Sequence, residues 1–161
     1  MDSSITFHHR VAPHLGQLDS LLDRLLRCEP MQVNRLPKWV AGPGIYVFTE
    51  SQLHVYVGRT NDLRKRLQQH QRNGSQHNAA PFAFRLARES TGLQRATYRT
   101  EGSRAQIGSD PRFVEAFSAA KARIRQMDVR AVRVDDPVTQ ALFEVYASVA
   151  VDARYNTFDN H

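Results

Sequence analysis

Five side chains in this 161-residue chain have the chemistry to act together: Tyr46, Tyr56, Arg66, His70 and Glu144. A phenol and an imidazole can pass a proton between them, and a neighbouring guanidinium supplies fixed positive charge that forks onto oxyanions. Glu144 is the single charge in the run Ala141–Val151, ALFEVYASVAV. A lone carboxylate in so apolar a helix requires compensation from a cation, a hydrogen-bond network or a metal ion. The plain alternative for it is an ion pair with Arg66 or another buried arginine.

The elements that must position the first four are local. Gly44–Thr49 and Leu53–Val57 are rich in β-branched and aromatic residues and read as two strands. Glu50, Ser51 and Gln52 between them predict a β-hairpin, with Tyr46 and Tyr56 near its open end. Thr60 or Asn61 can cap a helix beginning near Asp62. In that helix Leu63, Arg66, Leu67 and His70 share one face, turned toward the sheet, and Arg64, Lys65, Gln68, Gln69 and Arg72 share the other. Two tyrosines, an arginine and a histidine are thereby drawn together by short-range geometry.

Gly44-Ile45-Tyr46, nine residues, Tyr56-Val57-Gly58, then Arg66 and His70 closely resemble the GIY-YIG nuclease superfamily. Val57 stands where the family name has Ile, a mild exchange in a strand. The resemblance implies an α+β fold: a small antiparallel three-stranded sheet, made of the hairpin and a later strand, flanked by helices. It covers roughly residues 41–158. The expected organisation is an N-terminal helical extension over 1–40 and a nuclease-like domain over 41–161, with a variable helical insertion at about 73–128. The family places a metal-binding glutamate on a helix after the third strand and, in many members, an asparagine beyond it. Glu144 matches the first by context, and Asn156, twelve residues on, the second by spacing.

By that resemblance the chain is expected to be a divalent-metal-dependent endonuclease acting on DNA, duplex or branched. Tyr46 would be the general base, with His70 as proton relay and Tyr56 orienting water or phosphate. Arg66 would neutralise the phosphate, and Asn156 would order the pocket or touch a phosphate. Glu144 would bind one Mg²⁺ or Mn²⁺ per site, since such ions accept oxygen ligands and keep several waters. Arg59, Arg64, Lys65 and Arg72 are expected to grip the nucleic acid. Two other readings compete: a binding module of the same fold that does not cut, and a structural protein assembling through its N-terminal helix. Taken singly, each residue also has an ordinary reading, as strand aromatics, a core histidine or an ion pair.

Composition agrees with one soluble domain. Net charge is +6 with a pI near 10.0, which suits a polyanionic partner. The charge is uneven: residues 59–72 hold five Arg/Lys and one acid, 111–134 six and two, and 135–161 one Arg and five acids. A single cysteine, Cys28, excludes an internal disulfide, and no Cys/His cluster suggests zinc. No signal peptide and no membrane span is visible, so a cytoplasmic setting is the default expectation.

Leu15, Leu18, Leu21, Leu22 and Leu25 predict an amphipathic helix over 13–27, packed on the core or on a second copy of the chain. Met31–Gly42 reads as a connector. Trp39, the only tryptophan, is expected in the core or at the helix–sheet seam, with stacking on a DNA base as the alternative. A polar loop at 71–78, in which His77 and Asn78 could touch substrate, precedes a helix over 79–90. Residues 92–108, with Arg95, Tyr98, Arg99 and Arg104, read as a mobile, substrate-contacting segment or a plain loop. Asp110-Pro111 opens a further helix, Val129–Val134 forms the third strand, and Asp136-Pro137 opens the last helix.

Overall fold

The computed structural model describes residues 7–76, 78–92 and 104–158. The expectations for His77, Arg95, Tyr98 and Arg99 lie outside the described residues. Strand β2 (Gly44–Glu50) and strand β3 (Leu53–Thr60) form the hairpin. Its two-residue turn puts both Ser51 (φ 48°) and Gln52 (φ 68°) in the left-handed region, the conformation that matches strand twist in tight hairpins. The second strand runs three residues further than its hydrophobic pattern suggested. Tyr46 consequently pairs across to Gly58, and Tyr56 to Phe48.

The fold is α+β with an antiparallel sheet, but the sheet has four strands, not three. Strand β4 (Asp128–Arg133) pairs with β2 as expected. The additional strand, β1 (Met31–Gln32), pairs with the other edge of β4 and gives the order β1-β4-β2-β3. Two residues inside a connector carry no periodicity, so only the docking of Met31 in the core reveals the strand.

Side chains alternate across the sheet and build a core on each face. Tyr46, Phe48, Tyr56, Val129 and Ala131 point to one face, under helices α3 (Leu63–Gln71), α4 (Pro81–Thr91) and α6 (Pro111–Arg125). Ile45, Val47, Val57, Val132 and Val134 point to the other, under α2 (Leu18–Arg27) and α7 (Pro137–Ala150). The N-terminal leucines form two helices, because α1 (Ala12–Leu15) stops at Gly16 before α2 starts. Leu18, Leu21 and Leu25 are buried in the chain's own second core, so this stripe is spent internally and does not support assembly of copies through it.

Asp62 itself caps α3, accepting from the Lys65 N–H at 3.0 Å, while Thr60 accepts from the Asp62 N–H. Asp110 and Asp136 cap α6 and α7 with proline in the first turn, as their sequences predict. The short helix α5 (Arg104–Ser109) replaces the end of the expected loop. Trp39 is neither in the core nor at the seam: it is 54% exposed. No described helix is long and apolar enough to cross a membrane.

Candidate active site

The two motif glycines are fixed by close approach. A Cβ on Gly44 would lie 2.3 Å from the Val132 carbonyl oxygen, and one on Gly58 would lie 2.4 Å from the Tyr46 hydroxyl. Gly58 is therefore the gap through which the Tyr46 ring crosses β3 to bring its hydroxyl to the edge of the sheet. This is the physical content of a glycine after the second tyrosine.

At that edge the Tyr46 hydroxyl and His70 Nε2 are 2.7 Å apart, in a bond whose donor depends on which ring nitrogen carries the proton. Both residues are fully buried. Tyr56 and Phe48 flank the His70 ring at 5.9 and 5.4 Å between centroids, and Tyr56 stacks on Phe82 at 4.5 Å. His70 Nδ1 is buried without a hydrogen-bond partner among the described residues. Burial, reinforced by the positive charge of Arg66, pulls the His70 pKa down to about 3, so the imidazole is neutral at physiological pH. Burial drives the Tyr46 phenol well above its ordinary pKa; Tyr56 and Glu144 raise it further and Arg66 opposes them. Tyr56 is raised too, chiefly by burial.

Glu144 stands on α7, across the sheet from α3, yet its charge acts on both phenols. Four expected residues, Tyr46, Tyr56, Arg66 and Glu144, thus share one electrostatic environment, with His70 joined by a direct bond. Glu144 does not pair with Arg66. Arg59 takes it instead, Nε to Oε2 at 2.9 Å, and the two side chains remain 49% and 29% exposed. Burial raises the Glu144 pKa, and Arg59 pulls it back. Arg66 is half-buried, donates weakly to the Ala79 carbonyl at 3.4 Å, and forms no ion pair among the described residues.

Arg66 opens on a polar cleft of about 520 Å³ together with Arg59, Lys65, Asp62, Gln69 and Gln140. Three cations against one acid that is already capping a helix leave the cleft electropositive. Arg64, expected on the nucleic acid, is instead spent on the carbonyls of Leu36 and Pro37, since it projects to the side of α3 covered by the connector. Arg72 lies beyond the cleft, beside Asn73 and Ser75, and donates to Gln68.

Asn156 forms a two-way clamp on the edge strand. Its Oδ1 accepts from the Val57 N–H and its Nδ2 donates to the Val57 carbonyl, both at 2.8 Å. Next to it the Tyr155 N–H donates to Val55. Two further residues belong to the site and were missed. Arg85 on α4 acts electrostatically on Tyr56 and Glu144, and is held by the Tyr155 carbonyl. Gln140 lines the cleft and donates to the Thr60 carbonyl at 3.0 Å. An arginine within the apolar run 82–87, and a glutamine one helical turn before Glu144, were the available signals.

The donors suit a hard cation poorly supplied with protein ligands. Among the described residues no cluster of three His, Cys, Asp or Glu side chains could hold a metal. One half-buried carboxylate beside an electropositive cleft would fit Mg²⁺ or Mn²⁺ only if water and substrate oxygens completed the shell and Arg59 were given up.

Residues 42–96 match the family model of the GIY-YIG catalytic domain. No curated relative and no solved structure matches the chain. The matched stretch contains Tyr46, Tyr56, Arg59, Arg66 and His70 and stops short of Glu144 and Asn156. The match supports the likeness to the GIY-YIG nuclease superfamily, whose members are generally nucleases.

Proposed function

From the premise of a GIY-YIG catalytic domain at residues 42–96, we propose that the chain is a divalent-metal-dependent endonuclease that hydrolyses phosphodiester bonds in DNA. The observation that carries the reading is the buried Tyr46–His70 bond held in the field of Arg66, which itself lines a cleft with Arg59 and Lys65. A scissile phosphate in the cleft would meet Arg66, whose guanidinium has no carboxylate partner to surrender among the described residues. A water beside the phosphate would lose its proton to Tyr46 as the Tyr46 proton passes to His70 Nε2, and the water oxygen would bond to phosphorus as the bond to the leaving oxygen breaks.

The pKa directions explain why this relay requires substrate. In the free protein a phenolate is costly because Tyr46 is buried, and an imidazolium is costly because His70 is buried near Arg66. A bound phosphate offsets the Arg66 charge and so lets His70 accept a proton more readily. Tyr56, beside both rings, would orient the water or the phosphate, and Asn156 supports the reading by holding Val57 between Tyr56 and Gly58. Glu144 would hold the single Mg²⁺ or Mn²⁺, which supplies positive charge to the leaving oxygen.

Nicking of supercoiled plasmid in Mg²⁺ or Mn²⁺, comparing wild type with Glu144→Ala, tests the proposal. Metal-dependent nicks bearing 5′-phosphate and 3′-hydroxyl ends, lost in the variant, are expected. Tight binding with no cutting on duplex, single-stranded and branched DNA would leave a binding module instead.

A further inference from the structure

The cleft is not the only exposed feature beside α3. Pro37–Val40 is a turn closed by the Val40 N–H donating to the Pro37 carbonyl at 3.1 Å, with Lys38 and Trp39 at its two corners. The turn is fixed from both ends. Val40 is completely buried, and Arg64 of α3 grips the carbonyls of Leu36 and Pro37. Lys65, the next residue on the helix, lines the cleft. The sole tryptophan is thus held on a rigid corner, 54% exposed, next to the first turn of the helix that carries Arg66.

The charge along this stretch suits a polyanion. Residues 30–49 contain no Asp or Glu, Arg35, Lys38 and Lys65 are exposed, and Asp62 on the neighbouring helix is engaged as its cap. An aromatic face next to a lysine on adjacent turn corners presents one surface for a base and one for its phosphate. We infer that Trp39 is a stacking platform for an unpaired base, and that the chain prefers nucleic acid with a single-stranded or gapped stretch beside the cleaved bond. A fully paired duplex keeps its base faces covered and offers Trp39 only its backbone. The inference rests on nucleic acid as the occupant of the cleft, and Pro37–Val40 lies outside the family match.

Because Trp39 is the only tryptophan, its emission reports on this corner alone. The full chain is titrated in EDTA, so nothing is cut, with a single-stranded oligonucleotide, a gapped duplex and a fully paired duplex. Fluorescence anisotropy of labelled DNA measures binding independently. Quenching by the first two and little by the third is expected. Trp39→Ala should weaken single-stranded and gapped DNA roughly tenfold and paired duplex less than about twofold, with Trp39→Phe recovering most of the loss. Saturated binding with unchanged emission, or an equal loss on all three DNAs, would overturn the stacking role and leave the nuclease reading intact. Absence of any salt-sensitive binding to all three would overturn both.

Discussion

Replacing Gly58 with alanine brings a methyl group to 2.4 Å from the Tyr46 hydroxyl oxygen, and the ring cannot retreat because it is fully buried. A shift of about 1 Å at a reacting group costs about a hundredfold in rate, whereas overpacking costs about 1–3 kcal/mol of stability. Gly58→Ala should therefore fold, shown by an intact urea transition, and cleave about two orders of magnitude more slowly in a single-turnover assay; near-normal cleavage would show that the hydroxyl position is immaterial. Arg59 poses a different question, since it occupies the carboxylate proposed to hold the metal. Arg59→Ala should bind Mn²⁺ severalfold more tightly in the absence of DNA, by calorimetry, and bind DNA more weakly with a shallower salt dependence. Unchanged Mn²⁺ affinity would show that the pair does not compete. At this scale the sequence exposed Tyr46, Tyr56 and His70 because they lie on contiguous strands and one helix, where spacing dictates position. It could not pair Glu144 with Arg59, because that contact spans 85 residues and depends on where α7 packs.

The hairpin leaves β3 as an edge strand, and an unpaired edge frays unless something satisfies its backbone. Asn156 and the Tyr155 N–H meet that need from the far end of the chain. Asn156→Ala removes both partners of Val57 at once and should cost about 1–3 kcal/mol in urea denaturation. Its activity should follow the folded fraction and return on cooling. Lost cleavage in a fully folded variant would instead place the Asn156 amide on the substrate. The helices were legible because Asp110-Pro111 and Asp136-Pro137 write their own starts, and β4 because its alternation matches the two cores it divides. The two-residue β1 was not, and neither was the exposure of Trp39. Whether a tryptophan in a connector faces in or out is decided by which neighbour anchors the turn, and here Val40 and Arg64 do so.

Across the whole molecule, one sheet separates two cores, and the larger core encloses a histidine whose proton the fold must exclude. His70 titrates near its ordinary value of about 6.5 in the unfolded chain and at about 3 when folded. Between those values the unfolded state binds the extra proton, so folding stability is complete above pH 6.5 and declines as pH falls toward 3. The full decline attributable to this residue is roughly 5 kcal/mol, about 2 of it gone by pH 5, a large part of a typical domain's stability. His70→Gln removes the titrating group while leaving an acceptor for Tyr46. The variant should be less stable than wild type at pH 7.5 through imperfect packing, but the gap should narrow or reverse by pH 4.5. Urea midpoints measured at half-unit intervals over that range check this. A constant gap would mean that His70 takes up its proton inside the folded protein, and a buried imidazolium in contact with Tyr46 would then require a different proton path at the site.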